Sequence, residues 1–344
     1  MGICARPIKL NKPNPGKLTG MLLAAGVLCC GGSLLAQESS WQLSRTIDGH
    51  PDFQGVWANN SITPLERAVG FENRELLSDD EYAHLRAGVA EITEGGGDAQ
   101  FGDGFFDALV SGEVQSYDPS TGNYDQTWMS DRNLERRTSL IVDPANGRLP
   151  PYTDVAAAKV AARLEHIEQH PADSWTDRPL QERCITYGMP YLLAGYNSYY
   201  QIVQSKDYVA IIQEMIHDVR VIPLIPKSAI DGKIRLWHGD SRGYWDGATL
   251  VIETANFSDG SDLLGSAGKR IFVEKFTRTA ADNLQYEFTI EDASTWTAPW
   301  TAVINYSSSE DPVFEYACHE GNYGLSGILS GHRAQEQAAN NSSN

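Results

Sequence analysis

Tyr199–Leu224 reads YYQIVQSKDYVAIIQEMIHDVRVIPL, and after a short spacer Ile234–Phe257 reads IRLWHGDSRGYWDGATLVIETANF. Runs rich in β-branched and aromatic residues, broken by tight turns, predict short strands rather than helices. Working outward, Gln201–Val203, Tyr208–Met215, Val219–Leu224, Ile234–Trp237, Thr249–Phe257, Ile271–Thr277, Leu284–Ile290, Thr301–Tyr306 and Val313–Ala317 read the same way. Leu284, Tyr286, Phe288 and Ile290 alternate with Gln285, Glu287 and Thr289, so that strand buries one face only. Asp246-Gly247 and Asp282-Asn283 stand where tight hairpin turns belong. Short strands at this spacing, with no helix between them, predict a mainly β fold, an antiparallel barrel or a sandwich, with an irregular, partly helical N-terminal region.

That N-terminal region holds two helix signals. Over Leu77–Ile92, Ser78 and Glu81 form a capping box ahead of an apolar face. Over Thr153–His170, Thr153 caps an Ala-rich run that Pro171 stops. The acidic, Gly-rich stretch Thr93–Phe106 between them reads as a loop. Arg132, Arg136 and Arg137 are expected to pair with nearby acids. His166 and His170 are four apart on one helix face, a spacing that can hold a metal. Ile167 stands where a zinc-protease helix has Glu, so a solvated helix end is the reading here and no metal or other cofactor is expected.

Arg6, Lys9, Lys12 and Lys17 precede the apolar run Leu18–Ala36, the pattern of an export signal cut before Gln37 and too short and Gly-rich for a membrane span. Cys29 and Cys30 raise lipidation as an alternative, but neither follows a good Leu-small-small triplet. Cleavage would leave Cys184 and Cys318, which suggests one disulfide and a periplasmic or secreted location. Closing so long a loop is worth roughly 4 kcal/mol on chain entropy. The whole chain has a formal charge of −18, and without the four cations of the signal it falls to −22. Nucleic acid and anionic membrane surfaces are therefore poor partners, which leaves a small molecule as the expected one. The expected division is 1–36 signal, 37–183 irregular and helical region packed on the barrel, 184–330 antiparallel β domain, and 331–344 disordered tail.

Two clusters could carry chemistry. In Glu214–Arg220, strand alternation puts Glu214, Asp218 and Arg220 on one face and His217 with Gln213 and Met215 on the other. A buried Arg220 holding carboxylates would shift their pKa values; His217 is a candidate base, or else a hydrogen-bonded structural residue. In Trp237–Trp245, two glycines, aromatic walls and Asp240, Ser241 and Arg242 suit a sugar or an aromatic small molecule, unless Asp240 and Arg242 only pair with each other. Gly239-Asp240-Ser241 lacks the setting of a serine hydrolase. A disulfide would also bring the tyrosine loop, with Tyr196 and Tyr199, to Cys318-His319-Glu320, making His319 a second acid/base candidate.

The runs ERRTSLIVDPANGRLPP, GDSRGYWDGATLVIETANF, EFTIEDASTWTAPW and FEYACHEGNYGLSGIL resemble a large family of exported proteins of Acidobacteria and Proteobacteria. The resemblance spans nearly all of the chain beyond the signal; it implies export and assigns no catalytic residue. The WDGATLVIETANF hairpin is similar to lipocalin-like barrels. The expectation is an exported enzyme, a lyase, isomerase or hydrolase, acting without a cofactor on a small sugar-like, phenolic or terpenoid compound. In it His217, Asp218, Arg220 and His319 would do acid/base work, and Tyr196, Tyr199, Trp237, Asp240, Arg242 and Trp245 would hold the substrate. The competing expectations are a lipocalin-like binding protein and an envelope protein with no pocket. The sequence leaves the oligomeric state open.

Overall fold

A computed structural model describes residues 41–342, apart from 95–97, 101–102, 114–123, 126–128, 130, 193 and 227. The expected export signal and part of the expected Gly-rich loop lie outside the described residues. The strands are β1 (Gly55–Ala58), β2 (Ile141–Asp143), β3 (Tyr199–Gln204), β4 (Tyr208–Gln213), β5 (Val219–Pro223), β6 (Asp240–Asp246), β7 (Thr249–Ala255), β8 (Ile271–Ala280), β9 (Asn283–Glu291) and β10 (Trp300–Ser309). All pair antiparallel in one sheet of order β5-β4-β3-β1-β10-β9-β8-β7-β6, with β2 beside β10. The fold is mainly β, as the alternation predicts.

The sheet curls until its two edge strands face one another. Gly243 of β6 makes this possible, because a Cβ there would stand 2.9 Å from Leu224 Cδ2 and 3.0 Å from Ile222 Cγ2. Among the described residues no backbone ladder joins β5 to β6, so the ring stays open at that seam. The enclosed face is packed with rings. Tyr200 stacks on Tyr306 at 5.0 Å, Tyr306 on Tyr286 at 5.4 Å and Tyr286 on Phe276 at 4.7 Å. Burying each such side chain contributes roughly 1.5–3 kcal/mol.

Three expectations need correction. Ile234–Trp237 and Val313–Ala317 are not strands; the strand instead begins at Asp240, where Gly243 belongs to a ladder and not to a turn. No boundary falls near 183, because β1 inserts between β3 and β10, with Trp57 1% exposed, and everything from Trp41 onward forms one unit. The expected tail is helical, α4 (Gly324–Ser342), with Arg333 donating to the Asp173 and Ala172 carbonyls.

The remaining helices are α1 (Asp79–Glu94), α2 (Asp103–Ser111) and α3 (Asp154–Gln169). The Ser78 N–H donates to Glu81 Oε2 at 2.9 Å and the Glu81 N–H to Ser78 Oγ at 3.3 Å, which is the expected capping box. Thr153 Oγ1 accepts from the Ala156 N–H at 3.2 Å and so caps α3. α2 lies in what reads as loop; Phe105, Phe106 and Leu109 bury it against Leu85 and Leu134. No helix among the described residues is long and apolar enough to cross a membrane.

Candidate functional site

β4 ends at Gln213, and the chain reverses into β5 through a turn in which Ile216 (φ 59°) and His217 (φ 47°) are left-handed. The turn interrupts the strand alternation. The Gln213 N–H donates to the Asp218 carbonyl at 2.8 Å, and Arg220 pairs with Ile211, so Gln213, Asp218 and Arg220 face inward together. Glu214 leaves that face. It is buried elsewhere, where Asn197 Nδ2 donates to its Oε1 at 2.6 Å and burial raises its pKa. His217 is exposed, its Nδ1 2.8 Å from the Tyr316 carbonyl oxygen.

Inside, Arg220 meets Glu274 of β8, Nη1 to Oε1 at 2.9 Å and Nη2 to Oε2 at 2.5 Å. Burial opposes the charge on Arg220, but Glu274 outweighs it, so the guanidinium pKa is raised. The Tyr286 hydroxyl donates to Glu274 Oε1 at 2.9 Å. Burial pushes the Tyr200, Tyr286 and Tyr306 hydroxyls well above their ordinary range and keeps them protonated. These groups line a narrow cavity of about 30 Å³, room for about two waters. Arg220 Nε and Gln213 Nε2 are buried there with no partner among the described residues. Two unpaired buried donors beside a cavity are a costly feature unless a ligand oxygen meets them.

Asp218 and His238 line the same cavity and converge on Thr186, which is 1% exposed. Thr186 Oγ1 is 2.7 Å from Asp218 Oδ2 and 2.7 Å from His238 Nε2, while the Gly188 N–H donates to it at 2.9 Å. An ionised carboxylate can only accept, so the single Thr186 proton goes to Asp218 and His238 donates through Nε2. That assigns the lone pair of neutral His238 to Nδ1, which no described residue hydrogen-bonds. Asp218 Oδ2 also lies 3.3 Å from Nε2, close enough to stabilise an imidazolium.

Of the residues singled out in the sequence, Asp218 and Arg220 share this cavity. The others lie elsewhere. Trp237 is 39% exposed, its ring seated on Gly260, where a Cβ would stand 2.9 Å away. Asp240 pairs with Arg242, which also donates to the Ser228 carbonyl, as the alternative reading of that cluster had it. Trp245 stacks on His50 at 5.3 Å and does not join Trp237 in one wall. Tyr199 is half-buried on the opposite face of β3 from Tyr200. Tyr196 stacks on Tyr124 at 5.4 Å, and burial together with Tyr124 pushes its hydroxyl to about 12.

His319 is exposed beside the Cys184–Cys318 disulfide, which the structure contains as expected. That bridge ties the C-terminal segment to the tyrosine loop, and Asn322 Nδ2 adds a bond to the Glu182 carbonyl at 3.3 Å. His319 itself does not line the cavity.

Glu274, Thr186 and His238 were not singled out in the sequence. Glu274 had a signal, a carboxylate between Phe272 and Phe276 on the buried face of a strand. His238 stood within the quoted Trp237–Trp245 cluster, and Thr186 had no local signal.

His166 and His170 stack at 5.0 Å and bond Asp177 and Asp173 at 3.1 and 2.8 Å. Ligand atoms of Asp173, His332 and Glu336 lie within 4.8 Å of one another, but the group is open to solvent and Arg333 Nε already sits 2.7 Å from Glu336. Arg136 and Arg137 pair with Asp79 and Glu135, whereas Arg132 donates to the Ala194 and Gln100 carbonyls. Comparison with known protein families, with characterised proteins and with solved structures found no match.

Proposed function

We propose that this chain is an exported enzyme that moves a proton on a small oxygen-bearing compound whose reacting group enters the narrow cavity inside the curled sheet. The observation that carries this reading is the His238–Thr186–Asp218 arrangement at a cavity with two unpaired donors, Arg220 Nε and Gln213 Nε2. His238 would take the proton at Nδ1. Thr186 and Asp218 would hold the ring through Nε2 and stabilise the imidazolium. Arg220 and Gln213 would donate to the oxygen on which negative charge develops, in a site shielded from water. Tyr191, Tyr200, Tyr286 and Phe276 supply flat apolar walls. This arrangement supports the chemistry of a lyase, isomerase or hydrolase.

The near-closure of the sheet supports a lipocalin-like barrel. The disulfide, which persists in oxidising compartments, and the basic-then-apolar N-terminus support export to the periplasm or beyond. The motifs GDSRGYWDGATLVIETANF and EYACHEGNYGL support membership of the exported bacterial family they resemble. A lipocalin-like binding protein is the second reading, favoured by a lining that is mostly apolar and aromatic.

The test is a thermal-shift screen of the protein against phenolics, sugars, uronates and terpenoids, with mass spectrometry of every stabilising compound. A ligand bound only by the native state raises the melting temperature. Conversion that is lost in His238→Ala supports the enzyme; a ligand returned unchanged supports the binder. Conversion that survives in His238→Ala rules out the base named here.

A further inference from the structure

α3, the segment Thr176–Met189 and the loops reaching from Trp237 to Arg270 surround a groove of about 380 Å³. Its lining carries Lys159, Arg163, Arg178, Arg183 and Arg270 against Asp259 and Asp262, in a chain whose formal charge is −18. Arg178 is neutralised by Glu182 through two hydrogen bonds of 2.8 and 2.9 Å. The other four cations have no ion-pair partner among the described residues.

Arg270 is the unusual one. It is 2% exposed, lies 4.1 Å from the Phe257 ring centroid, and donates from Nη1 only to the Ser261 and Ser266 carbonyls, at 3.3 and 3.2 Å. Its Nε is buried without a partner. Burial pulls its pKa to about 10, with Asp262 and Asp292 acting against the fall. A guanidinium removed from water with no carboxylate in direct contact destabilises the fold, and an anion at the groove would offset that cost. The walls select which anion. The Trp237 ring packs against Gly260, Tyr187 lines the same space, and Arg183 stacks on Trp175 at 4.5 Å. Flat walls suit a ring, and a guanidinium fork matches a carboxylate.

We propose that this groove binds a small aromatic carboxylate, the carboxylate meeting Arg270 and the ring lying between Trp237 and Tyr187. Arg163, Lys159 and Arg183 draw the anion in and hold it electrostatically. Met189 lines both the groove and the interior cavity, so the two spaces are neighbours. The binding does not depend on any catalysis in the cavity.

The experiment is calorimetric titration of the protein with benzoate, its neutral counterpart benzamide and inorganic phosphate, in low-salt buffer. Benzoate should bind at least tenfold more tightly than either of the others. Arg270→Gln should abolish the binding, and the exposed double variant Lys159→Glu/Arg163→Glu should weaken it at least threefold. If Arg270→Gln does not fold, the exposed pair decides. Benzamide or phosphate binding as tightly as benzoate overturns the proposal, as does a double variant with unchanged affinity.

Discussion

Arg220 and Glu274 stand 54 positions apart in the chain and meet inside the sheet, with two hydrogen bonds of 2.9 and 2.5 Å, in a core of aromatic and aliphatic side chains. Each charge is tolerable there only because of the other. Removing one partner by Arg220→Met or Glu274→Leu should cost about 3–5 kcal/mol in urea unfolding, because the charge left behind is buried and unpaired. The double variant should recover most of that loss. A double variant no better than the singles would show that the pair does more for the fold than neutralise itself.

The two histidines next to β5 should separate cleanly. His238→Ala should lower turnover of a converted ligand by about 10²- to 10⁴-fold, the usual worth of a positioned acid/base group. His217→Ala should leave turnover unchanged, because that side chain is exposed and bonds a backbone carbonyl. Steady-state assays with circular dichroism on both variants check this.

Thr186→Val keeps the shape of the side chain and removes the hydroxyl that links Asp218, His238 and the Gly188 N–H. It should lower kcat with little change in KM and move the pH–rate profile, since His238 would lose the partner that sets its tautomer. An unshifted profile would make Thr186 a packing residue only.

Glu214 has its pKa raised by burial, so the folded state binds this proton more tightly than the unfolded chain does. Its ionised form therefore weakens the fold above the folded pKa, and the penalty fades as pH falls toward the unfolded value of about 4.3. Glu214→Gln keeps an acceptor for Asn197 and removes the charge. It should be more stable than the parent at pH 7 and converge with it near pH 4, as followed by urea unfolding at several pH values.

Reduction, or Cys184→Ser with Cys318→Ser, should cost about 5 kcal/mol, because the bridge spans 134 positions and the entropy of closing that loop returns to the unfolded chain. The loss should appear as a lower melting temperature with an unchanged far-ultraviolet spectrum.

What the sequence by itself determined was local. The alternation in Leu284–Ile290 and the caps at Ser78 and Thr153 each depend on residues a few positions apart, where φ/ψ preferences and side-chain period act directly, and the two hairpin turns fall at Gly247-Ala248 and Ala281-Asp282, one position from the expected pairs. The two cysteines beyond the first 36 residues pointed to their disulfide by count alone. The period-two reading failed at Ile216 and His217, because a left-handed turn resets which face the next side chain takes. The place of β1 between β3 and β10 was not legible from four residues, whose partners lie more than 140 positions away. Only the tertiary structure decided the site. Thr186 reaches Asp218 and His238 across 32 and 52 positions, and such contacts follow from the order and curl of the strands, which no short stretch encodes.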